Sequence, residues 1–239
     1  MIELWHCPDA RSFRVLWTLE ELGLPYELNL LPFPPRERAP EYLKINPLGT
    51  IPAMRDGDTF MTESAGIVQY LVTRHAPNKL LVPVEDPAYG AWLNWLHFGE
   101  ATLTFPQTLV LRYRQLEPGR AEHVADDYAR WFMSRLRQVD RCLQTGEWLC
   151  AGRFTAADIS VGYALLLANH LELSGKFSPA VANYWSRLNS RRAFEAAKRA
   201  QRGDLASELA SRQVEQQHRC RRLLWSLRHT KIHRGLHRC

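Results

Sequence analysis

Residues 2–27 read IELWHCPDARSFRVLWTLEELGLPYE. The apolar run Ile2, Leu4, Trp5 suits a buried strand, and His6-Cys7-Pro8-Asp9-Ala10-Arg11 follows it as a polar turn. Phe13, Leu16, Trp17, Leu19 and Leu22 then recur at near-helical spacing up to Gly23, with Pro25 beyond as a stop signal. A strand that feeds a helix through a turn containing Cys, Asp and Ser sets reactive side chains and backbone N–H groups at a helix N-terminus. That place favours an anion or a thiolate.

Working outward, Tyr26 to Leu31 alternates as a half-buried strand does, and Pro32, Pro34 and Pro35 end it. Residues 39–45 read as a short helix. Ile51 to Arg55 reads as a strand that opens on Pro52, and Asp56-Gly57 is a hairpin signal leading into Thr59–Thr62. A helix starting at Thr62 or Glu63 runs to about His75. The order is βαβαββα, an α/β domain over 1–78. A proline-rich linker at 79–87 separates it from an all-α helical bundle over 88–210. Within that bundle, Tyr89 to Tyr113 is one helical stretch with a kink expected at Pro106. Residues 123–144 form another long helix. Thr155 and Asp158 have capping-box spacing ahead of a helix that is apolar nearly all round and belongs in the middle of the bundle.

The chain of 239 residues is 46% hydrophobic and 23% charged, ordinary for a globular protein, with no apolar run near the ~18 residues of a membrane span. Its five cysteines have neither disulfide-framework nor metal-site spacing, which fits a reducing cytoplasm and no metal. The net charge of +6 is concentrated at one end. Residues 211–239 carry eight Lys/Arg against a single acid, Glu215, a net of +7, so residues 1–210 hold −1. A nucleic-acid face on the body is therefore not expected. The basic tail reads as a variable, disordered appendage, or else as a segment attracted to an acidic partner or nucleic acid.

Four pieces in order resemble the glutathione transferase family: LEELGLPYE at 19–27, INPLGTIPAM at 45–54, TES at 62–64 and GRFTAADI at 152–159. The resemblance covers roughly residues 1–205, and its flavour is that of a bacterial branch. It implies a thioredoxin-like N-terminal domain that binds glutathione as co-substrate, a helical C-terminal domain that offers a second-substrate pocket, and a homodimer. It places Pro52 on the family's cis-proline, with Thr50 and Ile51 beside it and the Ile51 backbone holding the cysteinyl part of glutathione. Glu63 and Ser64 match the pair that holds the γ-glutamyl end, and Arg11 is within reach of a glutathione carboxylate; otherwise Arg11 and Arg14 read as solvated.

Transfer needs the thiolate, yet a thiol of pKa about 8.5 is only a few per cent ionised at pH 7. The slot that often holds a hydroxyl or thiol in the family falls on Asp9, a departure, since a carboxylate repels a thiolate. Ser12, the nearest hydroxyl, Cys7, two residues upstream, and Asp9 itself all compete for the catalytic role. An ionised Cys7 changes the chemistry to thiol–disulfide exchange. Trp95, Phe98, Gly99, Thr102 and Pro106 fall on one helical stripe, continued by Tyr113, and are the candidates to line a pocket for a small apolar electrophile. The activities in play are a glutathione transferase, a thiol oxidoreductase using Cys7, and a non-catalytic binding protein of the same fold.

Overall fold

The computed structural model describes residues 1–75 and 79–203. Met1–Lys198 form one compact unit; of a second, Arg199–Cys239, residues 199–203 are described and are helical. The basic tail lies outside the described residues.

The first half follows the expected order: β1 (Ile2–His6), α1 (Phe13–Leu22), β2 (Tyr26–Leu30), the short α2 (Pro35–Arg38), β3 (Ala53–Asp56), β4 (Thr59–Met61) and α3 (Ser64–His75). The helix expected over 39–45 is a 3-10 turn, Pro40–Lys44, directly after α2. The sheet has strand order β2-β1-β3-β4, with β1 parallel to β2 and antiparallel to β3. β1 is central, which is why Leu4 and Trp5 are both buried although they point to opposite faces. Asp56 pairs with Thr59, so the hairpin turn is Gly57-Asp58, one residue on from the expected pair. Gly57 has φ +58, the left-handed conformation such a turn needs at its first position.

The second half is helical. α4 (Tyr89–His97), a wide π-type segment (Phe98–Thr104), α5 (Phe105–Leu111) and a second wide turn (Arg112–Leu116) follow one another, where one kinked helix was expected. α6 (Glu122–Leu143), α7 (Ala156–His170) and α8 (Pro179–Asn189) follow, and residues 192–198 are helical as well. Every residue of α7 from Ala156 to Ala168 is buried, as its all-round apolar sequence predicts. α7 packs on α1 and α3 of the sheet domain as well as on α4. Trp17 of α1 adds an aromatic seam, edge-on to Phe194 at 5.0 Å and beside Phe154 at 6.0 Å. Among the described residues no helix is long and apolar enough to cross a membrane.

Candidate functional site

The turn between β1 and α1 is built by its own polar groups. Ser12 is wholly buried; its Oγ accepts the Cys7 N–H at 3.3 Å and lies 3.4 Å from the Cys7 carbonyl, to which it donates. It caps no helix amide, and its hydroxyl is spent on closing the turn. Cys7 is buried too, with its Sγ 3.7 Å from the Pro32 carbonyl. Burial pushes its thiol up to about 12, so it is not ionised at neutral pH. The reactive Cys7 of the sequence reading does not fit this environment. Asp9 has φ 55 and pairs through Oδ1 with Lys198 Nζ at 2.6 Å, and its carbonyl accepts the Tyr163 hydroxyl at 3.3 Å.

Arg14, expected in solvent, is the buried centre of the region. All five guanidinium N–H groups are used. Nε donates to the Ser160 carbonyl at 3.2 Å; Nη1 donates to Ser64 Oγ at 3.0 Å and to Glu100 Oε2; Nη2 donates to the Gly99 carbonyl at 3.1 Å and to Thr104 Oγ1 at 2.6 Å. Its guanidinium also lies 4.4 Å from the centre of the Tyr163 ring. One side chain thus ties α1 to α3, α7 and the wide segment of the α4 region. The other Glu100 oxygen, Oε1, accepts Arg11 Nε at 2.7 Å. Burial pushes the Glu100 carboxyl up, but the Arg14 and Arg11 guanidiniums more than offset this and leave it below the usual carboxylate range.

Ser64 is the first residue of α3, and the Glu63 carbonyl accepts the Ile67 N–H at 2.8 Å. The amides of that first turn have no intrahelical acceptor, which leaves them open to an anionic acceptor. Because Ser64 Oγ accepts from a cation, its own O–H is left to donate. The exposed Glu63 side chain stands beside it. Ile51–Pro52 is cis, and Phe33–Pro34 is a second cis bond that the sequence did not announce. The preceding loop is held at Thr50, whose carbonyl accepts Tyr42 Oη at 2.7 Å and Asn46 Nδ2 at 2.8 Å. Ile51 stands two residues ahead of β3, so its backbone takes no part in the β1–β3 ladder.

The expected apolar stripe does not form one pocket wall. Trp95, Gly99 and Pro106 are buried in the bundle. A Cβ on Gly99 would lie 2.4 Å from Ser160 Oγ and 2.6 Å from its carbonyl carbon, so Gly99 is there for close helix contact with α7. Phe98 packs edge-on to Trp95 at 5.0 Å and lines a groove between α4 and α6 with Asn94, Ser134 and Gln138. Thr102 and Tyr113 are half-buried. Sequence reading missed Glu100 and Lys198. A carboxylate inside the apolar run HFGEATLTF was a signal for the first; nothing local marks the second.

A thioredoxin-like domain with a cis-proline loop, joined to an all-helical domain, is the architecture of the family that the sequence resembles. The comparisons with known proteins agree. Residues 4–79 match the model of the glutathione S-transferase N-terminal domain. Glutathione S-transferase 1 of Schizosaccharomyces pombe is 30% identical over 199 residues, 73% of this chain and 79% of that protein. Glutathione S-transferase 3 of the same yeast is 27% identical over 188 residues, 74% and 78% of the two chains. The solved glutathione transferase URE2P6 of Phanerochaete chrysosporium, in complex with oxidized glutathione, superposes with TM-score 0.74 at 28% identity, covering 84% of this chain and 96% of its own. The chain belongs to the glutathione S-transferase family.

Proposed function

We propose that the protein conjugates the glutathione thiol to a small apolar electrophile. The observation that carries this reading is Ser64, whose hydroxyl is polarised by Arg14 at an open helix N-terminus. The γ-glutamyl carboxylate takes the Ser64 O–H and the first-turn amides of α3, while Glu63 faces its ammonium. The Ile51 backbone pairs with the cysteinyl unit as a strand edge does. The thiol loses its proton to solvent, the sulfur lone pair forms a C–S bond, and the leaving group departs with the electron pair of the broken bond. Lowering a thiol pKa by ~2 units needs about 2.7 kcal/mol of preferential thiolate stabilisation.

Several further elements belong to the same proposal. The domain boundary lies at 79–87. The electrophile binds against Thr102 and Tyr113, two of the three half-buried members of the stripe with Phe98. The chain forms a homodimer, and it works in a reducing cytoplasm, which suits the free Cys7, Cys142 and Cys150.

Calorimetric titration with reduced glutathione tests the reading. Saturable binding is expected in the wild type, weakened at least about tenfold in Ser64→Ala, the loss of one charge-assisted hydrogen bond. Absence of binding up to millimolar glutathione would sink the proposal. Cys7→Ser is expected to keep conjugation within about twofold of wild type, because an un-ionised buried thiol does no exchange chemistry. An equal loss of conjugation and thiol exchange in that variant would restore Cys7 as the reactive group.

A further inference from the structure

In the helical half, four cations from three separate elements line one cleft. Arg114 comes from the wide turn after α5, Arg130 and Arg137 from α6, and Lys176 from the 3-10 turn Ser174–Lys176 that precedes α8. The cleft has a volume of about 610 Å³, within the roughly 300–1,000 Å³ of small-molecule sites. Ala129 and Met133 give it an apolar side, Ser134 adds a hydroxyl, and Asp126 is the acid in its lining.

The four charges are not equally committed. Arg114 Nη2 pairs with Asp126 Oδ1 at 2.8 Å, and Arg130 pairs with Asp127. The Arg114 hydrogen bond holds the Asp126 carboxyl below the usual range, and the charges of Arg130 and Lys176 act in the same direction, which sets both near this carboxylate. Arg137 has a neutral anchor. Its Nε donates to the Ser134 carbonyl at 3.2 Å and Nη2 donates to Ser134 Oγ at 2.9 Å, so the guanidinium is fixed while its charge stays unanswered. Among the described residues neither Arg137 nor Lys176 forms an ion pair. Four cations against Asp126 and Asp127 leave a local charge of +2, whereas residues 1–210 as a whole carry −1. A positive cleft on a slightly negative body concentrates anions there.

We propose that this cleft binds a phosphorylated small molecule, with Arg137 and Lys176 taking the phosphate group and Ala129 and Met133 receiving the organic part. A phosphate monoester carries nearly two negative charges at neutral pH and three acceptor oxygens. The planar fork of Arg137 suits two of those oxygens and the Lys176 ammonium suits the third. The inference is independent of the glutathione reading, since neither α6 nor the Ser174–Lys176 turn carries a residue assigned to that site.

The test is calorimetric titration of the full chain with phenyl phosphate at about 0.15 M salt, where long-range surface attraction is screened. Saturable one-to-one binding is expected. The double variant Arg137→Gln, Lys176→Gln should weaken it at least about tenfold, the loss of two charge-assisted contacts. Both residues are exposed, so the fold is not at stake. Asp126→Asn should strengthen binding about threefold, because it removes a like charge and releases the Arg114 guanidinium toward the ligand. Inorganic phosphate should bind more weakly than phenyl phosphate, for want of the apolar contact. No saturation up to about 10 mM phenyl phosphate overturns the proposal. Undiminished binding in the double variant does so too, since the anion would then sit elsewhere, the basic residues of 211–239 included. Equal affinity for the two probes would mean an adventitious ion only. Retention on phosphatidylcholine vesicles containing phosphatidic acid, lost in the double variant and found without phenyl phosphate binding, would assign the cleft to a lipid headgroup and overturn the small-molecule reading.

Discussion

Arg14→Met is expected to be the most damaging single change in the sheet domain, lowering stability by about 3–5 kcal/mol, the cost of removing one partner from a buried ion pair. The side chain is fully buried, and its fork satisfies five acceptors on three separate segments. Methionine fills a similar volume but supplies none of the five donors. The Ser160 and Gly99 carbonyls each lose a donor, and Glu100 keeps only Arg11. For a domain of this size the loss corresponds to a fall in Tm of roughly 10 °C. Arg14→Lys should fall between the two, because an ammonium keeps the charge but offers three donors without the planar fork. Replacing both partners, Arg14→Met with Glu100→Leu, should recover part of the loss, since no uncompensated charge is left buried. Thermal and urea denaturation of the three variants measure this, and a stable Arg14→Met would show that apolar packing alone holds the halves together.

Arg14 also connects stability to binding. Its bond to Ser64 orients the hydroxyl that we propose meets the γ-glutamyl carboxylate, so Arg14→Lys should weaken glutathione binding even where it folds. The same pairing carries a pH signature. Glu100 has a folded-state pKa below its unfolded value, so its contribution is present above the unfolded pKa of about 4.3 and is lost as pH falls through the folded one. Arg14→Met should blunt that acid sensitivity.

The contrast between Arg14 and the α7 cap shows what local sequence can and cannot convey. Thr155 and Asp158 are three residues apart, and their partnership is written into that spacing. So is the Gly57 turn, because a positive φ excludes most residue types. The element order βαβαββα follows from periodicity and punctuation in the same way, whereas the spatial order of the strands does not. Arg14 meets Glu100 across 86 residues and Ser64 across 50, while Asp9 meets Lys198 across 189. No periodicity encodes such a distance, and an arginine near a helix start is solvated in most contexts. The aromatic stripe failed for a related reason. The wide π-type turns over Phe98–Thr104 change the angle between successive residues, so positions that share a face on an ideal helix do not share one here. Ser64 was singled out by the short TES motif on which the family resemblance rests; the guanidinium behind it has no such local mark.

Asp158→Ala should cost about 3–5 kcal/mol in the helical half. Oδ2 accepts the Thr155 N–H at 2.8 Å and the Thr155 hydroxyl at 3.1 Å; Oδ1 accepts the Leu149 N–H at 3.2 Å and the Tyr184 hydroxyl at 2.8 Å. Losing the cap costs about 1 kcal/mol, and each buried donor left without an acceptor adds roughly 1–3 kcal/mol before any relaxation. Even so, burial outweighs the four donors and pushes the carboxyl up to about 6. In the unfolded chain its pKa is about 3.9. Between those values the folded protein holds a proton that the unfolded chain does not, so this group stabilises most below pH 4, and its contribution is lost as pH rises through 6. The stability gap between wild type and Asp158→Ala should therefore be wider at pH 4.5 than at pH 7.5, by about 2 kcal/mol. Urea denaturation of both proteins at the two pH values reads it directly, since most other titrating groups cancel in the difference. A gap that narrows in acid would mean that Asp158 is held ionised by its donors, and that the capping box works as a buried anion site.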